Sequence, residues 1–219
     1  MSNKLIILGC SHIGHKHADL SKLERYLSLK DCDFIDIGDT FEAGVPDKKA
    51  KSMEQNLTLD EQYHLALDMY KDTKVLAKCT SNHSNRVWES LGFDFDKAFC
   101  HDLEIPYYDF RGQIRWNGLR VAFHHGYGSG SNTWSDAKQL LSVFPDSDVI
   151  LVSHKHEMEY KKFYNYINGK KHLVHFVRTG SLMDDARYAR MSNYLPSFPG
   201  FSILEIKDDT LYVNNSGDI

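Results

Sequence analysis

Several features that mark other classes of protein are missing from this sequence. The formal net charge is −4, so the surface is not basic overall, and a polyanion would need a local basic patch or metal ions. No apolar run approaches the roughly 20 residues of a membrane span, and neither an internal repeat nor a low-complexity segment is present. We therefore expect a globular protein that does not work in a membrane.

Cysteine pairs with metal-ligand or redox spacing are also missing. The four cysteines (Cys10, Cys32, Cys79 and Cys100) include no C-x-x-C pair. Leu8-Gly9-Cys10 looks like a lipoprotein cleavage site, but the four-residue apolar run before it is shorter than the roughly 7–15-residue hydrophobic region of a signal peptide. Reduced thiols and a cytoplasmic location are the expectation.

The first part of the chain alternates between strand and helix patterns. With 219 residues and 42% hydrophobic content, we predict one domain, residues 1–219, with a substantial core. The predicted elements are a strand at Leu5–Leu8, a helix over Ala18–Leu29, a strand at Phe34–Ile37, a helix over Leu59–Tyr70 and a strand at Val75–Ala77. This alternation predicts parallel strands joined by right-handed crossovers, and residues 42–52 are predicted to form a loop.

The pattern changes from Gln113 onwards. Gln113–Trp116 and Leu119–His124 predict a hairpin about Asn117-Gly118. A helix over Asp136–Phe144 is then followed by predicted strands at Val149–Val152, Phe163–Ile167, His172–Arg178, Phe201–Ile206 and Leu211–Val213. The fold class inferred from these patterns is α/β, with two sheets and helices outside them.

Metal-binding residue types follow five of the predicted strands. In chain order they are Cys10 with His12, Asp39, Asn82, His125, and His154 with His156. Because strand ends can meet on one sheet edge, these donors can converge. On an extended segment, His154 and His156 would point their rings to the same side. The alternative for that pair is two surface histidines at a strand end.

The order of these clusters resembles a known family. The series runs Cys10-Ser11-His12, Gly38-Asp39, Ser81-Asn82-His83-Ser84, His125-Gly126 and Ser153-His154-Lys155-His156. It resembles the calcineurin-like metallophosphoesterase superfamily, whose motifs are Asp-x-His, Gly-Asp, Gly-Asn-His-(Asp/Glu), His-Gly and Gly-His-x-His. The resemblance spans residue 4 to about residue 181. It implies a four-layer α/β/β/α sandwich of two mixed sheets that holds two divalent metal ions.

The resemblance also implies roles for individual residues. The first ion would be held by Cys10, His12, Asp39 and His156, and the second by Asp39, Asn82, His125 and His154. Hydroxide formed from metal-bound water would attack phosphorus, with His83, Asp39 and Arg86 as the catalytic residues. His83 would protonate the leaving group.

Two residues are candidates for substrate binding. Arg86 could hold a phosphate oxygen in a forked pair, or it could be a solvated arginine at a helix start. His15 could line the substrate mouth, or it could be a polar loop residue. His124 should point away from its neighbour His125 and serve a structural role.

Four positions depart from the family pattern: Ser81 and Ser153 replace glycines, a small change, whereas Cys10 and Ser84 replace acids. Cys10 replaces a carboxylate, and a thiolate prefers zinc or iron to magnesium or manganese. A thiolate-ligated site, a weakened or empty site, and an inert buried cysteine all stay open; the candidate ions are Mn, Zn, Fe and Ni. Ser84 replaces the acid beside His83, so His83 would be a weaker proton donor unless another residue compensates.

The substrate is less well defined by the sequence than the chemistry. A small phosphodiester or nucleotide-type substrate is the first hypothesis. The alternatives are a nuclease acting on DNA or RNA and a catalytically weak metal-binding scaffold. Residues 155–190 contain eight basic and four acidic residues, which favours either a solvated hairpin or a substrate-facing patch. An aromatic cluster from Tyr188 to Phe201 could stack nucleobases beside arginines, or pack on the sandwich.

Overall fold

Eleven strands and five helices make up the part of the chain that the structure describes. The computed structural model describes residues 2–45, 54–126, 132–183 and 199–218. The strands are β1 (Lys4–Leu8), β2 (Asp33–Asp36), β3 (Val75–Cys79), β4 (Tyr107–Tyr108), β5 (Arg111–Trp116), β6 (Leu119–His124), β7 (Val149–Val152), β8 (Glu159–Ile167), β9 (Lys170–Arg178), β10 (Ser202–Lys207) and β11 (Thr210–Asn214). The helices are α1 (Leu20–Leu27), α2 (Leu59–Tyr70), α3 (Asn82–Leu91), α4 (Phe95–Asp102) and α5 (Thr133–Val143).

The strands form two mixed sheets. The first sheet has the order β11-β10-β1-β2-β3-β4, and the second has the order β5-β6-β7-β9-β8. Strands β1 to β4 are mutually parallel, as are β6, β7 and β9, whereas the outer strands β5, β8, β10 and β11 pair in the antiparallel sense. The parallel strands therefore end at a common edge in each sheet.

Strand β1 shows how the layers are held together. Its side chains alternate between two apolar clusters because successive strand residues point to opposite faces. Leu5 and Ile7 join the cluster between the two sheets, whereas Ile6 and Leu8 join the cluster that includes residues of α1, α2 and α4. A third cluster packs α5 on the outer face of the second sheet. The architecture is the predicted four-layer α/β/β/α sandwich.

Some helices and strands were not predicted from the sequence. Helices α3 and α4 and the two-residue strand β4 were not among the predicted elements, and the β8–β9 hairpin is longer than predicted. Helix α3 has no side-chain cap at Ser81 and ends at Gly92 in the left-handed conformation. Its amino-terminal residues are poor helix formers, so its sequence pattern is weak.

Other expectations fall partly outside the described residues. Of the predicted loop, residues 42–45 are described, and of the aromatic cluster only Phe201 is described. Phe201 is buried, and its ring centroid lies 4.9 Å from that of Tyr26. Among the helices in the described ranges, none combines the length and apolar character that crossing a bilayer requires.

Candidate metal centre

The turns that follow β1, β2, β6 and β7 bring their polar side chains to one place. Three sets of three residues have potential ligand atoms within 4.8 Å of one another. The sets are Cys10, His12 and His156; Cys10, Asp39 and His125; and His12, Asp39 and His83. Donors as far apart in the chain as Cys10 and His156 therefore meet, whereas the predicted ligand His154 belongs to none of these sets.

The backbone at these residues is unusual. Cys10, His12, Asp39, His154 and His156 have φ values of 54°, 49°, 52°, 72° and 57°. Non-glycine residues in the left-handed region cost about 1–3 kcal/mol each, and such residues cluster at functional sites. The prediction that His154 and His156 lie on an extended segment was wrong. Two left-handed residues, rather than strand alternation, bring these imidazoles into the site.

Hydrogen bonds hold the turn around Asp39. The Asp36 carboxylate accepts from the Gly38 amide at 2.9 Å and from the Thr40 hydroxyl at 2.7 Å. The amide of His12 donates to the Asp39 carbonyl at 2.9 Å. The first and second turns are therefore joined, and the residues on both sides of Asp39 are fixed.

The turn at Cys10 is held in a similar way. The Cys10 amide donates to the Gly38 carbonyl at 2.9 Å, and the Ser181 hydroxyl donates to the Cys10 carbonyl at 2.9 Å. The Thr179 hydroxyl donates to the Ile7 carbonyl at 2.8 Å. The segment after β9 thus closes the site from below.

The imidazoles of three histidines have defined tautomers. His125 Nδ1 lies 2.8 Å from the Ile37 carbonyl oxygen, and His83 Nδ1 lies 2.6 Å from that of Glu42. His12 Nδ1 lies 3.1 Å from the Glu42 carboxylate. Because these oxygens only accept, each Nδ1 carries the proton and donates it. Metal-ligating histidines are held in the same way, which leaves Nε2 to face the ion.

Asp39 lies at the centre of these Nε2 atoms. Its Oδ2 is 3.0 Å from His125 Nε2 and 3.9 Å from the Nε2 atoms of His12 and His83. Burial alone would raise the pKa of Asp39, but His125 and His83 hold that pKa well below its usual value. Burial likewise opposes the charged form of His125, yet Asp39 raises its pKa. The carboxylate is therefore ionised and close to several nitrogen donors.

His12 and His156 also face each other in the site. Their Nε2 atoms are 3.3 Å apart. Burial is the main reason why the pKa of His156 lies well below its ordinary value, and the neighbouring His12 lowers it further. Two lone pairs at this distance would repel, so a proton or a cation must lie near both nitrogens. This pair is therefore suited to a shared cation.

Cys10 lies between the two ligand sets. Its buried Sγ is 3.0 Å from the Ser153 hydroxyl and belongs to two of the three donor sets. Burial, reinforced by the Asp39 charge, raises the pKa of the thiol well above its ordinary value. A thiolate here would need a cation beside it, because without one it would be a buried charge next to a carboxylate.

One buried polar atom supports the fit to metal ions. Asn82 Oδ1 forms no hydrogen bond with any residue that the structure describes. Buried polar atoms are normally satisfied, and a metal ion is one partner that can satisfy them. Nitrogen, oxygen and sulfur donors together suit divalent transition metals. The residues present fit the implied metal site.

The remaining predicted residues lie around this cluster. The His154 ring packs against that of His125, with centroids 5.2 Å apart. Arg86 is half-buried on α3, and its charge contributes to lowering the pKa of His83, although burial is the larger cause. His124 Nδ1 accepts from the Gly126 amide at 2.8 Å, so it has the structural contact that was expected.

His15 has different surroundings from those of a residue at an open mouth. It is buried, and its Nδ1 accepts from the His17 amide at 3.2 Å. Its Nε2 lies 3.8 Å from the Glu54 carboxylate. The substrate-binding role of His15 stays a prediction, and the burial of its ring argues for a part in holding the loop.

Glu42 is the residue that the sequence analysis missed. Its carboxylate contacts His12 and lies 3.7 Å from His83 Nδ1, and its carbonyl accepts from the same nitrogen. Glu42 thus places a carboxylate near His83 from another segment of the chain, whereas the position after His83 is Ser84. The available signal was an acidic residue three positions after Asp39, within a segment predicted only as a loop.

The comparisons with known proteins identify the fold. No protein-family model and no curated protein matches the chain. Among solved structures, Vps29 from Chaetomium thermophilum is 14% identical, with 97% of this chain and 87% of that chain covered and a TM-score of 0.55. An archaeal phosphodiesterase is 9% identical, with coverages of 96% and 98% and a TM-score of 0.51.

A third solved structure was determined with metal. Vps29 from Entamoeba histolytica complexed with zinc is 14% identical, with 96% of this chain and 89% of that chain covered and a TM-score of 0.50. At these identities the likeness concerns the arrangement of the backbone. The chain therefore has the fold of the calcineurin-like metallophosphoesterase superfamily.

Proposed function

We propose that this protein is a metal-dependent phosphoesterase that hydrolyses a small phosphodiester or a nucleotide-type substrate. The observation that carries the proposal is the convergence of the buried Cys10, His12, Asp39 and His125 with the half-buried His156, and with His83 beside them. In such a site the protein would hold two divalent ions. A scaffold alone would not require a further imidazole facing the shared carboxylate.

The ligand assignment is the one that the family resemblance implies. Cys10, His12, Asp39 and His156 would hold the first ion, and Asp39, Asn82, His125 and His154 would hold the second. Bound ions would supply a hydroxide nucleophile near neutral pH and neutralise charge on the phosphate oxygens. Asp39 Oδ2 is the atom suited to both ions, because it lies within 3.9 Å of three Nε2 atoms.

His83 would supply the proton for the leaving group. Its Nδ1–H is held by the Glu42 carbonyl, so Nε2 is the atom that turns towards Asp39 and the site. A proton on Nε2 would pass to the leaving alkoxide as the ester bond breaks. Arg86, one turn further along α3, would hold a phosphate oxygen.

Cys10 would determine which metal is preferred. Soft thiolate ligands favour zinc and iron over magnesium and manganese. We expect Co²⁺-loaded protein to show a sulfur-to-cobalt charge-transfer band that Cys10→Asp and Cys10→Ala lack. If Cys10→Asp keeps the same metal preference and the same spectrum, the thiolate is not a ligand.

A direct test of the function uses two chromogenic esters. Metal-stripped protein is supplied with Zn²⁺, Fe²⁺, Mn²⁺ or Ni²⁺ and assayed with bis-p-nitrophenyl phosphate and with p-nitrophenyl phosphate. We expect faster release from the diester. His83→Ala should keep its metal but lose about 10²–10⁴-fold in turnover. The exposed His101→Ala is the matched control and should be unchanged.

Two observations favour a second candidate, a catalytically weak metal-binding scaffold. Cys10 stands where the family pattern has a carboxylate, and Ser84 stands where it has an acid. If metal binds but His83→Ala and the unaltered chain release product equally slowly from both esters, the scaffold is the better description. Hydrolysis of oligonucleotides in preference to both small esters would instead favour a nuclease. A cytoplasmic location stays part of the proposal.

A further inference from the structure

The hairpin of β8 and β9 extends beyond the sheet to which it belongs. Both strands have nine residues, but β7 pairs with β9 only from His175 to Arg178. The five pairs from Phe163–Val174 to Ile167–Lys170 continue as a two-stranded ribbon. At about 3.4 Å per residue, this part is about 17 Å long. It ends at the Asn168-Gly169 turn.

One face of the ribbon is anchored to the molecule. The Phe163 ring packs against Trp134 of α5, with centroids 5.2 Å apart. Asn165 Nδ2 donates to the Pro145 carbonyl at 2.9 Å, and His172 Nε2 donates to the Ser147 carbonyl at 2.9 Å. These contacts hold the ribbon in one position, so the opposite face is a preformed surface.

The opposite face is aromatic and exposed. Tyr164 and Tyr166 point to the same side, and their exposed fractions are 62% and 63%. Leu173 and Lys171 are their partners across the ribbon. The Lys171 ammonium lies 5.5 Å from the centroid of the Tyr164 ring. Single exposed rings are ordinary, but neighbouring apolar side chains that form one exposed patch mark an interaction surface.

The same ribbon carries a concentrated positive charge. Residues 160–177 contain four lysines and no acidic residue, in a chain whose net charge is −4. Glu159, at the base of β8, is already paired with Lys161 and Arg178. On the anchored face, Asp148 is paired with Arg120 and lies 3.3 Å from His172. Lys162 and Lys171 lie on the same face as Tyr164 and Tyr166, and neither forms an ion pair with a residue that the structure describes, so they can contact a polyanion.

We propose that the exposed face of the ribbon binds single-stranded nucleic acid. Tyrosines two residues apart on one strand face are separated by about 7 Å, and their rings offer successive stacking platforms for bases. Lysines beside such platforms contact the phosphates, which is how sequence-tolerant single-strand binding is built. An acidic protein would use the lysines but would have no particular need for two exposed rings.

This surface is separate from the candidate metal centre. Strand β9 runs towards the site and ends at Arg178, so its first residue, Lys170, lies about 27 Å away along the strand. The proposal therefore does not depend on hydrolysis by this protein. Binding at the ribbon can be measured with metal ions removed, so that no cleavage occurs.

The test is fluorescence anisotropy with labelled oligo(dT) and oligo(U) of about 12 nucleotides, within the range of single-strand site sizes, in EDTA. We expect the unaltered chain to bind these oligonucleotides. The logarithm of the binding constant should fall linearly as the logarithm of the salt concentration rises. The double variant Tyr164→Ala/Tyr166→Ala should bind at least about tenfold more weakly with little change in salt slope. Lys162→Gln/Lys171→Gln should reduce the slope by about 1.4.

Matched controls lie elsewhere on the surface. Tyr212 on β11 is 54% exposed, and Tyr212→Ala should not change binding. Lys97→Gln/Lys138→Gln removes the same charge from α4 and α5 and should have a smaller effect than the ribbon pair. Absence of binding at low salt would overturn the proposal, as would equal losses in ribbon and control variants. Tighter binding to acidic polypeptide or anionic vesicles, independent of the tyrosines, would also overturn it.

Discussion

Replacing Lys78 by methionine tests how much the stability of the fold depends on one buried charge. The Lys78 side chain is fully buried, and its Nζ lies 3.3 Å from Asp36 Oδ1 and 3.0 Å from Asp96 Oδ1. Burial opposes its charge, but the two carboxylates together raise its pKa well above the ordinary value. Methionine keeps much of the volume of lysine but has no ammonium group, so the carboxylates lose their cation.

The expected loss is a large fraction of the total stability. Removing one partner of a buried ion pair costs about 3–5 kcal/mol, and domains have about 5–15 kcal/mol of unfolding free energy in all. Asp36 also holds Gly38 and Thr40 on either side of Asp39. We therefore expect weaker metal binding together with the loss of stability.

The loss should shrink as pH falls. Burial raises the pKa of Asp96, and without Lys78 that rise must increase. A carboxyl whose pKa is higher in the folded than in the unfolded state binds protons preferentially when folded, so stability declines as pH rises between the two pKa values. The difference in unfolding free energy between Lys78→Met and the unaltered chain should therefore be smaller at pH 5 than at pH 7.

Urea denaturation at pH 7 and pH 5, in the presence of EDTA, measures both effects. Lys74→Met is the matched control, because Lys74 is 59% exposed and its partner Asp33 keeps hydrogen bonds from Ser2 and Trp116. That exposed pair should contribute no more than about 1 kcal/mol. A loss below about 1 kcal/mol for Lys78→Met, or the same loss at both pH values, would refute the reasoning.

Three further changes test other parts of the structure. Glu42→Gln should weaken metal binding about tenfold in a chelator competition, because it weakens the acceptor that orients His12; unchanged affinity would contradict this role. Gly112→Ala should destabilise by about 1–3 kcal/mol in urea denaturation, since the new Cβ would lie 2.5 Å from Phe123 Cζ. Thr58→Ala should cost about 1 kcal/mol in the same assay through loss of the capping box of α2, and Thr58→Ser should restore it.

Most of the strands were predictable because their pattern is local. Leu5–Leu8 is apolar at every position, as a strand buried on both faces must be, and the structure divides its side chains between two cores. The ends of α2 were also predictable, since its apolar period and its cap are formed by neighbours in the chain. Helix α3 begins with Asn82, His83 and Ser84, which favour other conformations, and its place in the fold comes from contacts with the site.

Glu42 and His15 show the limit of local patterns more clearly. Glu42 gains its importance from His12 and His83, which lie 30 and 41 positions away in the chain. For His15 the sequence left two roles open, at the substrate mouth or in the loop, and the structure shows its ring buried next to Glu54. The hydrophobic periodicity of the sequence does not indicate such contacts, because they depend on where turns and loops fold back on one another.

The sequence by itself determined the kinds of donor atom, their order and the strands after which they occur, because residue type and alternation are properties of short segments. Only the tertiary structure decided that Asp39 lies among three imidazole nitrogens, which nitrogen of each ring carries its proton, and that left-handed turns direct His154 and His156 inwards. Those properties arise from distances and hydrogen bonds between remote segments, and these are formed when the two sheets pack together.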